Sequence, residues 1–322
     1  MDILIPEHLD APAIQDLRAR YVVTCQEELW KDPSRLKEEI QSARTIMVRN
    51  QTRVTSELLA NAPSLVAIAR VGVGLDNIDL QAATNLGMVV IAPLNANATS
   101  VAELTIGLLL ALARRIPLAD RSTRAGLWER IRCTGIELEG KTLAICGFGR
   151  IGRLVAARAK AFGLKLVIFD PFVRADTPVI AEMGAQHCQT LEEALVSADF
   201  VTIHSPLTSE TRHMFNSRTL AAMKPGAYLI NTSRGGVIDE QALLAVLEKG
   251  CLAGAALDVR ECEPPSQSLL EKMDNVILTP HIGAFTHEAQ TRTIQAVCED
   301  LDRVLRGEPA INYVNMAQPR SR

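Results

Sequence analysis

The sequence of 322 residues predicts a two-domain α/β protein built on parallel sheets. Two observations carry that expectation. Apolar, strand-like runs alternate with helix-like segments along most of the chain, the pattern of βαβ units. In addition, six of these runs between Leu143 and His281 each lead to a residue suited to chemistry. Leu143-Ala144-Ile145-Cys146 leads into Gly147-Phe148-Gly149-Arg150-Ile151-Gly152, and Leu166 to Phe169 leads to Asp170. The other four lead to Ser205-Pro206, Arg234, Asp258 and His281. In an open parallel sheet, ligands bind outside the carboxyl ends of the strands. Residues far apart in sequence are therefore expected to meet at one sheet edge.

The first hundred residues supply strands at Ile3-Leu4-Ile5, Tyr21-Val22-Val23, Thr45 to Val48, Leu65 to Ala69 and Met88 to Ile91. Helices are expected from Pro33 to Ser42 and from Thr55 to Asn61. A new unit begins near Ser100, where Ser100-Val101-Ala102-Glu103 reads as a capping box. The helix after it is too apolar for an exposed surface and is expected to be buried between domains. Trp128 to Gly140 reads as irregular. Further on, Thr190-Leu191-Glu192-Glu193 is a second capping box, and Gly250 ends the helix from Asp239 to Lys249. The last helix runs from about Thr286 to Arg306, stopped by Gly307. The apolar tail Ile311-Asn312-Tyr313-Val314 is expected to return to the first domain and make it discontinuous.

Composition narrows the class. The chain is 48% hydrophobic and 22% charged, as globular proteins are. A net charge of −3 and a pI near 6.1 give no basis for nucleic-acid binding. The longest apolar stretch, Leu104 to Ala113, falls well short of the ~20 residues that span a bilayer. No basic leader precedes an apolar core at the start, so no secretory signal is expected. The seven cysteines are scattered and never spaced Cys-x-x-Cys, which argues against a zinc site or a disulfide scaffold. A reducing cytoplasm is the expected setting.

Gly147-x-Gly149-x-x-Gly152 follows a strand and opens a helix. Glycines there allow a tight turn, close approach of a pyrophosphate and close helix–strand packing. The helix N-terminus adds N–H donors and positive dipole. Asp170 ends the next strand near the ~20-residue spacing of a ribose-binding carboxylate, and it would repel a 2′-phosphate. The competing reading is a glycine-rich turn with an ordinary strand-end aspartate, and it leaves the pairing of the two features at this spacing to chance. Arg234, followed by Gly235-Gly236, can clamp a small anion in a fork. His281 can exchange a proton near neutral pH, and a carboxylate such as Glu263 can orient an imidazole and favour its protonated form. His204 is expected to pack beneath a cofactor. His287 opens a helix, and His8, His187 and His213 have no sequence neighbours that point to chemistry.

These motifs together resemble the D-isomer-specific 2-hydroxyacid dehydrogenases, and within them the phosphoglycerate dehydrogenase group. The resemblance covers nearly the whole chain. It includes Arg70 to Asp79, Ser100 to Glu103, Gly147 to Gly152, Asn231 to Gly236, Asp258 to Pro264 and Pro280-His281-Ile282-Gly283. It implies a Rossmann-type dinucleotide-binding domain over 99–286. A smaller flavodoxin-like substrate domain would be made of 1–98 and 287–322. It implies His281 as acid/base with Glu263 as its partner, and Arg234 on the substrate's carbonyl and carboxylate. NAD is implied at Gly147, Gly149, Arg150, Ile151, Gly152, Asp170, Ser205, Pro206, Thr211, Thr232, Asp258 and Gly283, with Asp258 on the nicotinamide carboxamide. Arg49, Val73 and Gly74 would join Arg234 around the substrate. A homodimer is implied, with Ser100 to Arg132 at the contact.

The chain departs from the group in three places. It ends at Arg322, before any serine-sensing regulatory domain is expected. Pro93 to Thr99 reads one residue longer than the usual loop. Asn50-Gln51 stands where some phosphoglycerate enzymes carry a second basic residue. The expected reaction is NAD-dependent interconversion of a small D-2-hydroxy acid and its keto acid, with domain closure excluding water. 3-Phosphoglycerate stands first, with hydroxypyruvate, glyoxylate and sulfolactate as alternatives. A tailed substrate would need a cation beyond Arg234, from Arg49 or from Arg132 of a second subunit. The reading of another class is an NAD-sensing, corepressor-like binding protein. No nucleic acid, membrane or metal partner is expected.

Overall fold

The computed structural model describes residues 1–320 and divides the chain into two compact units. One unit is Met1–Asn97 together with the chain from Ala284; the other is Ala98–Gly283.

The first unit opens with β1 (Ile3–Ile5), α1 (Pro12–Arg18), β2 (Val23–Cys25), α2 (Pro33–Glu39) and β3 (Thr45–Val48). It continues through α3 (Ser56–Ala60), β4 (Ala67–Arg70), α4 (Leu80–Asn85) and β5 (Val89–Ile91). The sheet is parallel, in the order β2-β1-β3-β4-β5. That is the flavodoxin-like order. β1, β3, β4 and β5 are buried throughout, so they read as continuous apolar runs rather than alternating ones. β2 starts two residues later than Tyr21-Val22-Val23 implied. The Tyr21 hydroxyl is drawn to Asp302 at 2.8 Å, and Val22 lends the ladder only its carbonyl, which accepts from Ile3 N at 3.1 Å as the pairing begins at Val23. α2 stops at Glu39 because Ile40–Ser42 tightens into a 3₁₀ turn.

The second unit contains α5 (Ala98–Ala113), α6 (Ile116–Arg124), β6 (Thr142–Cys146), α7 (Arg150–Ala161), β7 (Lys165–Phe169) and α8 (Pro178–Met183). It continues with β8 (Gln186–Cys188), α9 (Leu191–Val196), β9 (Phe200–Ile203), α10 (Ser217–Ala221), β10 (Tyr228–Asn231), α11 (Glu240–Glu248), β11 (Gly254–Leu257) and β12 (Val276–Leu278). The seven-stranded sheet runs β12-β11-β10-β9-β6-β7-β8, all parallel. This is the doubly wound dinucleotide-binding order, with its reversal between β6 and β9. The chain leaves β6 toward β7 and later returns to β9 on the other side. A crevice at the carboxyl ends follows from that reversal.

The expected capping box at Ser100 is not there. α5 begins at Ala98, so Ser100 lies buried within the first turn. Glu103 instead reaches Arg158 of α7 at 3.3 Å. α5 packs on α7 and on β10, β11 and β12 of its own unit, which accounts for its apolar character. The Thr190–Glu193 capping box is present in both directions. Gly250 takes φ +68 after α11.

The first unit is completed by α12 (His287–Leu305), capped by Thr286, whose side chain accepts from Ala289 N. α12 packs on α1 and β4. The tail then pairs antiparallel with β5, through Ala92 N to Asn312 O and Val314 N to Val90 O, both at 2.8 Å. Among the described residues no helix is long and apolar enough to cross a membrane. No group of three metal-ligating side chains forms among them either.

Candidate active site

In the second unit, Arg234, Glu263 and His281 come from the carboxyl ends of β10, β11 and β12, three neighbouring strands. His281 Nδ1 lies 2.7 Å from Glu263 Oε2. This contact selects the Nδ1–H form and leaves Nε2 to exchange a proton with a ligand. Burial alone would raise the Glu263 pKa. The His281 hydrogen bond and charge, the Arg260 N–H and the Arg234 charge outweigh it and hold the carboxyl below its ordinary value. Arg234 Nη1 donates to its neighbour Ser233 O at 2.7 Å, which turns the guanidinium along the loop.

His281 sits in a left-handed conformation, φ +55, which few residues accept. Asp258 holds it there. Oδ1 accepts from Thr279 Oγ1 at 2.6 Å and Ile282 N at 2.8 Å, and Oδ2 accepts from Gly283 N at 2.8 Å. His281 N itself donates to the Asp258 carbonyl at 2.8 Å. Asp258 is 1% exposed. Its carboxylate builds the Pro280–Gly283 turn.

The glycine loop lies at the crevice. Gly147 takes φ +98, and a Cβ there would stand 2.8 Å from the His204 carbonyl. A Cβ on Gly152 would overlap the Gly147 carbonyl oxygen, whereas one on Gly149 would meet nothing. The loop is therefore closed on its inner side and open at Gly149. Arg150 and Ile151 begin α7, whose N-terminus has no side-chain cap. Asp170 Oδ2 accepts from Phe148 N at 2.7 Å and Oδ1 from Phe172 N at 2.9 Å. Each oxygen keeps lone-pair capacity for a hydroxyl. These features fit a dinucleotide, with phosphate at an uncapped helix terminus and ribose at Asp170.

The other residues assigned to the cofactor serve as local braces. Ser205 Oγ donates to Cys146 O at 3.4 Å. The Thr211 hydroxyl donates to Pro206 O at 2.6 Å and closes the loop between them. The Thr105 hydroxyl donates to Val101 O, so the 2.8 Å contact between Thr232 and Thr105 has Thr232 as donor.

His204 behaves differently from a surface histidine. Both ring nitrogens are buried without a hydrogen-bond partner, and burial pushes the pKa down to about 3. An unfolded histidine takes up a proton below about pH 6.5, but the folded one resists until about pH 3. Stability from this group is complete above about pH 6.5 and is lost as pH falls toward 3. The loss should be on the order of 1 kcal/mol per pH unit. Urea melts from pH 7 to pH 5 should show a shallower slope for His204→Leu than for the parent protein. Equal slopes would remove His204 as the source.

Two pairings were invisible in the sequence. His213 Nε2 meets Glu261 Oε1 at 2.6 Å, and His8 Nδ1 meets Glu27 Oε1 at 2.9 Å. His213 and Glu261 lie 48 positions apart, and only the topology joins them.

In the first unit, Arg49 and the Val71–Gly74 loop follow the paired strands β3 and β4. Arg49 Nη2 donates to Gln290 Oε1 at 2.7 Å, and its guanidinium stacks over Phe285. Burial lowers its pKa, against the raising influence of Glu7. Arg70 reaches over the loop to donate to Val71 O and Gly74 O. These bonds pin the loop that carries Val73 and Gly74.

Comparison with known proteins agrees with this geometry. Residues 106–283 match the family described as D-isomer specific 2-hydroxyacid dehydrogenase, NAD binding domain. The chain is 45% identical over 314 residues to a D-3-phosphoglycerate dehydrogenase of Methanocaldococcus jannaschii, covering 98% of this chain and 59% of that protein. It therefore spans little more than half the length of that relative. The TT0316 protein of Thermus thermophilus superposes with a TM-score of 0.90 at 35% identity, covering 98% of this chain and all of that one. A D-lactate dehydrogenase of Aquifex aeolicus, solved with NAD and lactic acid, gives a TM-score of 0.87 at 30% identity, covering 98% and 99%. The chain belongs to the D-isomer specific 2-hydroxyacid dehydrogenases, and its second unit is their NAD-binding domain.

Proposed function

We propose that this chain is an NAD-dependent dehydrogenase of a small D-2-hydroxy acid, acting in reverse as a 2-keto acid reductase. The observation that carries the reading is the Glu263–His281 pair beside Arg234, at the same sheet edge as an open glycine loop. When bound, the cofactor supplies the hydride in reduction and accepts it in oxidation. His281 delivers a proton from Nε2 to the substrate oxygen, and Glu263 fixes the ring and stabilises the imidazolium. Arg234 holds the carboxylate and the oxygen on which charge develops. Asp258 keeps His281 in place, and Gly147, Gly149 and Gly152 leave room for the pyrophosphate. Arg150, Ile151, Ser205, Pro206, Thr211, Thr232 and Gly283 line the cofactor's path. The first unit serves as a discontinuous substrate domain, with Arg49, Val73 and Gly74 assigned to the acid. 3-Phosphoglycerate is the first substrate to test, since the Methanocaldococcus relative is named for it.

NADH oxidation with 3-phosphohydroxypyruvate, hydroxypyruvate, glyoxylate and sulfopyruvate tests the reading. Turnover of one or more supports it. NADH binding without turnover of any would favour the sensing protein instead. On cofactor choice, Asp170→Ala should weaken NADH binding and narrow the preference over NADPH, because it removes a negative charge and a ribose acceptor. Equal use of NADPH by the unaltered protein would overturn that role.

The assembly is read as a homodimer in the cytoplasm. Trp128 and Ile131 are 80% and 89% exposed, and Ile116 and Leu127 also expose apolar side chains in the stretch after α5. Apolar exposure of this kind marks an interaction surface. All seven cysteines are free. Trp128→Glu with Ile131→Glu should convert a dimer to monomers in sedimentation velocity. A monomeric parent protein would reject the assignment.

A further inference from the structure

Glu263 stands on an exposed, irregular segment, yet it has to aim one carboxylate oxygen at His281. Its other oxygen, Oε1, accepts from the backbone N–H of Arg260 at 3.1 Å. Arg260 is the last buried residue before that segment, at 9% exposure. Its guanidinium grips Glu240 with two bonds, Nε to Oε1 at 3.1 Å and Nη2 to Oε2 at 2.9 Å. Nη1 donates to Glu271 Oε1 at 2.7 Å, and Nη2 reaches Ser268 Oγ at 3.4 Å. Glu240 opens α11, and Glu271 lies in the 3₁₀ turn before β12, so the grip joins elements on both sides of the segment. Glu240 Oε1 also accepts from Glu261 N at 2.6 Å. On the other side, the Arg260 carbonyl packs against Gly235, the neighbour of Arg234.

We propose that Arg260, anchored by Glu240 and Glu271, is a positioning residue that selects the Glu263 rotamer and thereby holds His281 in the Nδ1–H form. The proposal rests on Glu263–His281 being the acid/base pair. A glutamate on a free loop would spread over several rotamers, and ordering it costs entropy. The Arg260 N–H narrows that spread from behind, and the buried guanidinium fixes the N–H. Charged groups facing Glu263 are His281 and Arg234.

The test is Arg260→Met, with Arg260→Lys and Glu240→Gln beside it. Turnover of the best keto acid of the panel is followed against pH. ¹⁵N shifts of the neutral His281 ring are read without cofactor and assigned with His281→Asn. For Arg260→Met, kcat should fall about tenfold, a fraction of the ~10²–10⁴-fold that an acid/base residue contributes. NADH binding should stay within about twofold, and the acid limb should move to higher pH because the Glu263 carboxylate loses a fixed donor. The ring should drift from Nδ1–H toward Nε2–H. Arg260→Lys, which keeps the charge but not the fork, should fall between.

A folded Arg260→Met protein with the parent acid limb and ring tautomer overturns the proposal, whatever its melting temperature. If that variant does not fold, Glu240→Gln decides by the same two readings. His281→Asn separates the underlying assignment. If it retains activity, the acid/base reading fails. If it is inactive while Arg260 and Glu240 variants are unaltered, only the positioning role fails.

Discussion

Replacing His281 with alanine should lower kcat by about 10²–10⁴-fold and leave NADH binding within a few-fold, because the imidazole acts in the proton transfer. The expectation follows from a ring whose Nδ1 is committed to Glu263 at 2.7 Å and whose left-handed backbone is pinned by Asp258. Such a conformation is retained where the surroundings over-determine it. Glu263→Gln keeps an acceptor but loses the charge. The alkaline limb of reduction should then move to lower pH, since an imidazolium has lost its carboxylate. Stopped-flow reduction followed over a series of pH values reads both variants. Parent-like turnover in His281→Ala would reject the assignment.

Gly235→Ala should be the most damaging of the glycine substitutions. Its Cβ would overlap the backbone carbonyl of Arg260 and the N of Glu261. No flexible side-chain end is there to move aside. Overpacking of this kind costs roughly 1–3 kcal/mol and occasionally more. Because the clash falls between Arg234 and the root of the Glu263 segment, activity should fall with stability. Gly149→Ala is the contrast, since its Cβ meets no atom within 4 Å. That variant should melt like the parent yet bind NADH more weakly. Calorimetry and fluorescence titration of the two proteins distinguish these outcomes.

The sequence made the strands legible where burial on both faces demands continuous apolar runs, as in β6, β9 and β10. β8 escaped notice because Gln186-His187-Cys188 is a three-residue edge strand with a mostly polar surface. Ser100 misled because a serine two residues inside a helix reads like a serine at its start. The chemical residues stood out by their positions at strand ends. Their pairing was carried by family resemblance, because 18 positions separate Glu263 from His281. Arg260 drew no attention, since a buried arginine declares itself only through the carboxylates that surround it. Asp258 was legible as a site residue but not as the brace of the Pro280–Gly283 turn, which depends on backbone N–H directions.

The antiparallel pairing of Asn312–Val314 with β5 has a consequence for the order of events on the ribosome. The strands of this sheet are translated before Ala98–Gly283, but the segment that covers the β5 edge is translated only after that whole unit. At ~5–20 residues per second, the edge waits on the order of 10–40 s for its cover. During that interval the nascent chain presents unpaired β5 backbone groups to its neighbours, a template for aggregation. The intervening unit can complete its own sheet first. A message cut short before Asn312 would release that unit whole, attached to a sheet that never receives its border.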